Sequence, residues 1–514
     1  MQLAGLLHTE AGLGDAVKLE AHWCGGGTRE VSTHVRWAFM MKAPQNAPAL
    51  WQLLEGLGCL SRQPHLESTE KWERRMVTRR EFLDTLAAGA AGLAMGSTAK
   101  SYSQILGSND RLQFAVIGLH SRAYAHLSAL KANKAAARVA YVCDVDSNTM
   151  AKFAAATERE MGEAPATDKD FRNILQKREV DAITIATPDH WHAPMAILGL
   201  QAGKHVYVEK PCSHNPAEGA LLVEAQRKYG KVVQMGTQQR SSQHTIEIVD
   251  KIHNGLIGRA YYGKAWYSNV RKSIGVGKEV PVPPQLDWDL WQGPAPRRPY
   301  KDNVEPYNWH WFKIYGTGET LNNGTHEVDV CRWALDVDYP DTISSSGGRY
   351  HFKDDWQFYD TLVTSFNYPD KMISWEGKSC QGMKFYGRDR GAVIMGTTGS
   401  VLVDRDGYEI YDLKGNKTSE FKTGGQTSSA DLTGRDSMTD AHFANFIAGV
   451  RTGEKLHAPI AVGNVAVTML QLSNVAWEVN RQLQLNSSNG MIQGDAAAMK
   501  LWGREYEKGW EPHL

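Results

Sequence analysis

From Arg111 onward, short apolar segments alternate with stretches of helical periodicity, and this alternation limits the possible fold more than any other feature of the chain. The apolar segments lie at residues 113–117, 137–143, 182–186, 205–209 and 232–235. Strands that alternate with helices indicate βαβ units and a parallel sheet. We therefore predict an α/β fold in which residues 110–236 form a Rossmann dinucleotide-binding domain.

The turn after the first predicted strand has the position of a phosphate-binding loop. It begins at Gly118 and ends at Ala123, where the pattern G-x-G-x-x-G/A is expected. His120 replaces the second glycine, which normally lets the backbone approach a pyrophosphate, so we expect a shifted loop. His120, Ser121 and Arg122 are then the candidate contacts to the phosphates, and Gly118 makes the turn.

A carboxylate ends the second predicted strand. Asp144 follows Gly118 by 26 residues, close to where a dinucleotide fold places the acidic residue that holds the ribose hydroxyls. Asp146 is the second candidate for this role. A carboxylate here repels a 2′-phosphate, and no arginine follows at once, so the sequence favours NAD over NADP.

Two further loops follow predicted strands and lie at the same edge of the sheet, where ligands bind in open α/β folds. One reads Thr187-Pro188-Asp189-His190-Trp191-His192, and the other is Glu209-Lys210-Pro211. Lys210 places an amine beside a possible hydride-transfer site, although Glu-Lys-Pro also occurs as a plain surface tripeptide. The candidate cofactor contacts in these loops are Thr187, Pro188, His192, Glu209 and Lys210.

A Rossmann half with a T-P-x-x-x-H loop and an E-K-P segment resembles the Gfo/Idh/MocA oxidoreductase family. The resemblance extends from about Arg111 to the C-terminus. It implies NAD or NADP as cofactor and sugars, polyols or related compounds as substrates. It also implies that residues 237–514 form an α/β substrate and oligomerisation domain, whose large, mostly antiparallel sheet offers one face to the cofactor and builds a dimer or tetramer.

The family pattern D-x-G-x-H-x-x-D has a counterpart at residues 322–329. His326 and Asp329 match, whereas Asn322 stands where many members have Asp. Spacings of four and three residues predict that the three side chains share one helix face. The resemblance implies that His326 faces the nicotinamide and takes the substrate's proton with support from Lys210. Asn322 can orient a hydroxyl but cannot take a proton, and a hydrogen-bonded core histidine is the alternative.

Aromatic and polar residues point to the substrate class. Trp309 and His310 lie in the run Asn-Trp-His-Trp-Phe, and Trp191 lies in the first loop described above. Gln239 and Arg240 follow the last predicted strand of the first domain. Aromatic faces pack on the C–H faces of sugar rings while polar groups bind hydroxyls, so carbohydrate is the expected substrate. The aromatic residues fit a core or an oligomer interface equally well.

Residues near the amino terminus resemble an export signal. Arg79 and Arg80 precede Phe82 and Leu83, and a weakly apolar stretch follows at residues 86–95, as in twin-arginine signals. A basic amphipathic helix is the alternative. We predict that residues 1–75, which have no assigned role, are an over-extended start and that residues 76–109 are signal and tether. The twin-arginine export machinery would then carry the protein, already folded, to the periplasm or another extracytoplasmic compartment.

The charge and cysteine content exclude several other functions. The chain has 57 basic and 57 acidic residues, so nothing in its charge indicates a nucleic-acid partner. No apolar run reaches the length of a membrane span. The six cysteines have no metal-like spacing, and we expect buried thiols and no metal site.

The expected activity is hydride transfer from a sugar, polyol or glycoside to tightly bound NAD. Because free NAD is scarce outside the cytoplasm, either a second substrate reoxidises the cofactor or the hydride returns internally. The second case is a redox-assisted glycosidase, but the NAD-dependent glycosidases differ around the E-K-P position, so Lys210 favours the oxidoreductase. A cofactor-bound sugar-binding protein without activity is the third possibility, and the altered glycine loop and Asn322 support it.

Overall fold

The structure is a computed structural model that describes residues 111–424 and 437–514. The predicted export signal and the unassigned residues before it lie outside the described residues. The first sheet has six strands in the order β3-β2-β1-β4-β5-β6, and all its pairs are parallel. This is the strand order of a dinucleotide-binding Rossmann fold, which confirms the predicted fold of this domain.

The strands of this sheet are β1 (Leu112–Ile117), β2 (Ala137–Cys143), β3 (Ala166–Asp168), β4 (Ala182–Ile185), β5 (His205–Val208) and β6 (Val233–Met235). The helices are α1 (Ser121–Ala132), α2 (Ser147–Met161), α3 (Phe171–Leu175), α4 (Asp189–Gln201) and α5 (Pro216–Tyr229). Strands β4 and β5 are almost wholly buried, as expected of parallel strands covered on both faces. Strand β3 is short and largely exposed, so no apolar run marks it in the sequence.

The second sheet has ten strands in the order β14-β13-β12-β11-β7-β10-β9-β8-β15-β16. Only β7 and β10 pair in parallel among the described neighbours, so the predicted large, mostly antiparallel sheet is confirmed. Its strands are β7 (Ala260–Ser268), β8 (Thr342–Gly348), β9 (Thr361–Asn367), β10 (Met372–Lys378), β11 (Arg390–Gly396), β12 (Gly399–Val403), β13 (Gly407–Asp412), β14 (Lys417–Lys422), β15 (Leu483–Leu485) and β16 (Ile492–Gln493).

The helices after the first domain are α6 (Gln243–His253), α7 (Trp288–Gln292), α8 (Gly318–Asn322), α9 (Gly324–Leu335), α10 (Ser437–Thr452), α11 (Ile460–Val479) and α12 (Ala496–Met499), with 3-10 turns at Gln238–Ser241 and Asn308–Trp311. Helix α9 packs against β7, β10 and β11, and α11 packs against β8 and α9. Asn480 ends α11 in the left-handed conformation and Leu483 starts β15.

Helix α11 is long and rich in apolar residues. Contrary to the expectation that no apolar run is long enough for a membrane span, α11 has the necessary length and a mean hydropathy of 1.3, and it alone does so within the described part of the chain. Most of its residues are buried inside the protein, as in the central helix of a globular domain. The four cysteines of the described ranges, Cys143, Cys212, Cys331 and Cys380, are buried thiols without disulfides.

The long connection between β7 and α8, residues 269–316, lies over the first domain, and we call it the covering segment. Ser147 donates its backbone N–H to Gln285 O, and Asp287 donates to Val145 O, each at 3.0 Å. Lys169 Nζ lies 2.9 Å from Asp287 Oδ2. These contacts hold the covering segment on the turn between β2 and α2, beside the carboxyl edge of the parallel sheet.

Candidate active site

A cavity of ≈520 Å³ runs along the carboxyl ends of the parallel strands, beneath the covering segment and beside α9. Every predicted cofactor contact lines it: Gly118, His120, Ser121, Arg122, Asp144, Thr187, Pro188, His192, Glu209 and Lys210. The predicted residues Trp191, Trp309, His310, Asn322 and His326 line it as well. Asp329, Gln239 and Arg240 are outside its lining.

The glycine turn accepts His120 without strain. Gly118 has φ +78°, and a Cβ there would lie 2.7 Å from Thr187 N, so only glycine fits. His120 has an extended backbone (φ −78°), precedes the first residue of α1, and points its exposed ring toward Ser121 Oγ at 3.0 Å. The first turn of α1 opens on the cavity, and the N–H groups of a helix start are an anion-binding site.

Asp144 is the organising carboxylate at the β2 end of the cavity. Its oxygens accept the backbone N–H groups of Leu119 (2.7 Å) and Asp146 (2.9 Å). Burial raises the pKa of Asp144, and these hydrogen bonds oppose that rise. Glu305, from the covering segment, lines the same end, and burial together with Asp144 and Asp146 raises its pKa to about 8. No sequence motif marks Glu305.

Arg122 and Glu209 line the cavity but are already bound to each other. Arg122 Nε donates to Glu209 Oε1 at 2.8 Å, and His126 Nε2 and Gln238 Nε2 approach the same oxygen at 3.0 and 3.1 Å. Burial alone would raise the pKa of Glu209, but Arg122 and His126 hold it well below its usual range. Glu209 thus fixes the glycine loop to β5, a positioning role that His126 shares and that the sequence did not show.

The first loop holds the second by way of an imidazole. His192 places one ring nitrogen 2.8 Å from Thr187 O and the other 2.6 Å from Pro211 O. Trp191 lines the cavity, yet it is mostly packed: its Nε1 donates to Trp291 O at 2.9 Å and its ring meets Trp510 edge-on. His192 therefore fixes the backbone immediately after Lys210.

Lys210 spans the two domains. Its Nζ donates to Asn322 O at 2.7 Å and to Asn322 Oδ1 at 3.3 Å. Burial lowers the pKa of Lys210, and Glu209 and Asp189 partly offset that effect. The amine therefore lies at the junction of the parallel sheet and α8, with its basicity tuned by its surroundings.

The helix predicted to carry Asn322, His326 and Asp329 is interrupted. Helix α8 ends at Asn322 and α9 begins at Gly324, where a Cβ would come within 3.1 Å of the Trp375 ring. The prediction of one continuous helix face is therefore wrong. Asn322 and His326 reach the cavity from two helices.

Asp329 and Arg240, predicted as a catalytic and a substrate residue, bind each other. Arg240 donates to the Asp329 carboxylate through Nε at 2.6 Å and Nη2 at 2.9 Å, and both side chains are buried. Arg332 lies 3.4 Å from the same carboxylate. The pair joins the 3-10 turn to α9 behind the cavity wall, and neighbouring Gln239 is buried there too. Their position favours a structural role.

His326 is buried beside the cavity. Its Nδ1 has no hydrogen-bond partner among the described residues. Burial lowers its pKa to well below the usual range, and the nearby cations Arg405, Lys210 and Arg390 lower it further. A neutral imidazole beside a cavity can accept a proton.

The aromatic run provides one wall. The ring of Trp309 stacks on His310 with centroids 3.6 Å apart, and His310 Nδ1 lies 2.6 Å from Tyr307 O. The Tyr307 hydroxyl accepts from Arg271 Nη1 at 3.3 Å and Asn322 Nδ2 at 3.4 Å. The sequence marked this run through its tryptophans, but Tyr307 and Arg271 carried no motif.

The Rossmann domain is similar to a known family of proteins. Residues 112–237 match a family model described as "Oxidoreductase family, NAD-binding Rossmann fold", the Gfo/Idh/MocA model. The match supports the predicted family for the Rossmann domain and confirms NAD as its cofactor class.

Curated relatives match the chain in part. A glycosyl hydrolase family 109 protein of Saccharopolyspora erythraea is 28% identical over 209 residues, 37% of this chain and 45% of that protein. One of Shewanella putrefaciens is 23% identical over 211 residues, 37% of this chain and 46% of that protein. The chain thus spans less than half the length of these curated relatives.

Solved structures resemble both domains. The aldose-aldose oxidoreductase of Caulobacter crescentus, complexed with glycerol, has a TM-score of 0.56 at 16% identity, covering 73% of this chain and 100% of that one. Levoglucosan dehydrogenase in complex with NADH and levoglucosan has a TM-score of 0.56 at 18% identity, covering 73% and 99%. At these identities the likeness establishes the shared fold.

Proposed function

We propose that this protein is an NAD-dependent oxidoreductase that oxidises a CH–OH group of a sugar, polyol or glycoside. The observation that carries the proposal is that Lys210 and His326 line one cavity with the carboxyl edge of an NAD-binding sheet. The oxidoreductase family of the Rossmann domain and the sugar-related neighbours support the same reaction class.

The residues along the cavity fit a dinucleotide. The first turn of α1 would bind the pyrophosphate, Asp144 the ribose hydroxyls, and the loop from Thr187 to His192 the nicotinamide end. When bound, NAD supplies a hydride acceptor at C4 of its nicotinamide ring. Asp144 and Asp146 lie at the end of the cavity where the ribose would bind and would repel a 2′-phosphate, which favours NAD over NADP.

The proton moves through this chain's own residues. The His326 imidazole takes the proton of the substrate hydroxyl as the adjacent carbon loses its hydride. Lys210 Nζ, donating to Asn322 O, orients the substrate oxygen and stabilises the negative charge that develops on it. Trp309 gives the sugar ring an apolar surface.

The decisive experiment uses the protein purified without added cofactor. We expect a near-ultraviolet band of reduced nicotinamide to appear when one sugar from a panel is added, and to disappear when a second substrate reoxidises the cofactor. A spectrum without nucleotide, unchanged when both NAD and the sugar panel are supplied, would refute the proposal and leave a binding protein.

A redox-assisted glycosidase is the second candidate, because the curated relatives cited above are glycosyl hydrolases of family 109. Oxidation of a ring carbon would acidify the neighbouring C–H, and loss of that proton would eliminate the aglycone. Water would then add to the resulting unsaturated ketone, and return of the hydride to the carbonyl carbon would regenerate NAD within each turnover. Release of p-nitrophenol from p-nitrophenyl glycosides, with deuterium uptake from D₂O at the carbon next to the oxidised one, would identify this activity. A lasting reduced-nicotinamide band without aglycone release would identify the oxidoreductase.

We further propose that the protein is exported after folding, through the paired Arg79 and Arg80. Support comes from the sequence resemblance alone. Cell fractionation of the wild type and of the Arg79→Lys/Arg80→Lys variant tests it: export predicts extracytoplasmic wild-type protein and cytoplasmic retention of the variant.

A further inference from the structure

The wall of the cavity next to Lys210 and His326 carries three guanidinium side chains, Arg271, Arg390 and Arg405. We infer that the substrate is an anionic sugar, whose carboxylate or phosphate binds Arg390 with help from Arg271. This inference rests on the proposed function and specifies its substrate class.

Arg390 is the best placed of the three. It begins β11 beside Tyr267 of β7 and is 5% exposed. Its Nε donates to Glu327 Oε1 at 2.7 Å and its Nη1 lies 3.4 Å from Asn323 Oδ1, whereas Nη2 is buried with no partner among the described residues. A buried charged donor left without an acceptor is costly, so an acceptor from a ligand fits this position. A guanidinium fork matches a carboxylate or phosphate in shape and charge.

Arg271 presents its charge from the neighbouring wall. It lies over the ring of Trp311 at 4.9 Å, and its Nη1 donates to the Tyr307 hydroxyl. Its guanidinium also pairs with Glu319. Glu319 and Glu327, the carboxylates that pair with Arg271 and Arg390, are not part of the cavity lining, so the cavity meets the cationic side of each pair.

The two ends of the cavity differ in charge. Asp144 and Asp146 lie at the end of β2, where Asp144 accepts the backbone N–H of Asp146, and Glu305 lines the same cavity. Arg390 binds Glu327 and Asn323, which flank His326 at the start of α9, so it lies at the reacting end. Glu209 and Asp189 also line the cavity near Lys210, but Glu209 is bound to Arg122 and Asp189 accepts from the Thr317 hydroxyl at 2.5 Å. The reacting end therefore suits an anion on the substrate.

The test compares acids with their neutral parents on the full-length protein. Reduction of bound NAD would be followed with D-glucuronate against D-glucose, D-galacturonate against D-galactose, and D-glucose 6-phosphate against D-glucose. Binding of the same sugars would be followed by quenching of tryptophan fluorescence, which does not depend on turnover. We expect the anionic member of at least one pair to be preferred by about 10²-fold, as for a charge-assisted bidentate contact. The carboxylate and phosphate arms identify the group.

Two variants make the test specific. Arg390→Gln with Glu327→Gln removes the guanidinium without leaving its partner charged and unpaired, and it should lower the acid-to-neutral ratio by about 10²-fold. Arg388→Met removes an arginine that pairs with Asp404 outside the cavity, and it should keep the ratio. Equal binding of acids and neutral parents by the wild type, or an unchanged ratio in the double variant, would overturn the inference. Sugar binding without a reduced-nicotinamide band would instead count against the proposed function alone.

Discussion

At the scale of single residues, the charged side chains that line the cavity are held in place by hydrogen bonds and ion pairs. Glu209 binds Arg122, His192 fixes the backbone after Lys210, and Lys210 binds the end of α8. Because these contacts hold each side chain in one position, a substitution at one residue tests whether that residue acts in catalysis or in structure.

Replacing Lys210 by Met should abolish catalysis without releasing the cofactor. The variant loses the amine that orients and stabilises the substrate oxygen, so we expect turnover to fall by about 10²–10⁴-fold. Bound nucleotide, measured by absorbance after denaturation, should stay near the wild-type stoichiometry. Lys152→Met, on the exposed face of α2, serves as the control and should change neither quantity. Undiminished turnover of Lys210→Met would rule out its catalytic role.

Glu305 should make stability depend on pH. Its pKa of about 8 in the folded protein lies above that of an exposed glutamate, so its contribution to stability is complete at low pH and is lost as pH rises through 8. The melting temperature of the wild type should fall between pH 5 and 9 relative to Glu305→Gln, by roughly 2–4 °C per kcal/mol lost. The exposed Glu279→Gln should follow the wild type. Parallel curves for wild type and Glu305→Gln would contradict the assignment.

At the scale of elements, the helical motif is interrupted between α8 and α9. Asn322 at the end of α8 binds Lys210, and His326 of α9 lines the same cavity, whereas Asp329, also on α9, pairs with Arg240 behind the wall. The motif predicted as one catalytic helix face thus supplies two cavity residues, Asn322 and His326, and one member of a buried ion pair, Asp329.

Asp329→Ala should unfold the protein more easily and leave the chemistry intact. Removing one member of a buried ion pair leaves Arg240 uncompensated, which costs about 3–5 kcal/mol. Chemical denaturation should show this loss, while turnover per folded molecule should stay close to the wild-type value. Restoring a nonpolar environment with Arg240→Met in the same chain should recover part of the stability. A folded, stable but inactive Asp329→Ala variant would return Asp329 to the catalytic set.

The elements that could be predicted from the sequence are those marked by short local patterns. The apolar runs predicted the parallel sheet, and all ten residues predicted as cofactor contacts line the cavity, because a strand's end fixes which loop faces it. The helix break at Asn323 was not predicted, since no proline marks it and Gly324 meets Trp375 of β10 only in the folded protein. Glu305, Arg271 and Arg390 were equally out of reach, because they meet the cavity only through tertiary packing.

At the scale of the whole molecule, the two domains are joined by a shared hydrophobic core as well as by the cavity. Helix α10 returns from the end of the large sheet to the Rossmann domain, where Phe443 stacks on Tyr207 at 4.2 Å and Phe446 contacts Phe114. The boundary after residue 236 remains a prediction, and the residues after it contribute to the core of the first domain.

The large sheet has a less buried face that should form an oligomer interface. On β9 the residues Leu362, Thr364 and Phe366 are buried, whereas Val363, between them, is 49% exposed on the other face. We expect a dimer or tetramer by light scattering, and Val363→Glu should shift it toward monomer because it places a charge in the interface. Leu413→Glu, at an exposed turn, should not. A monomeric wild type would refute this prediction.

Helix α11 bears on whether this protein would have to fold before it is exported. Its twenty residues have the length and composition of a membrane span, and packing against α5, β8 and α9 buries most of them. In a chain exported unfolded, this segment would meet the membrane before the elements that bury it had formed. The proposed export after folding would instead keep it inside the protein core.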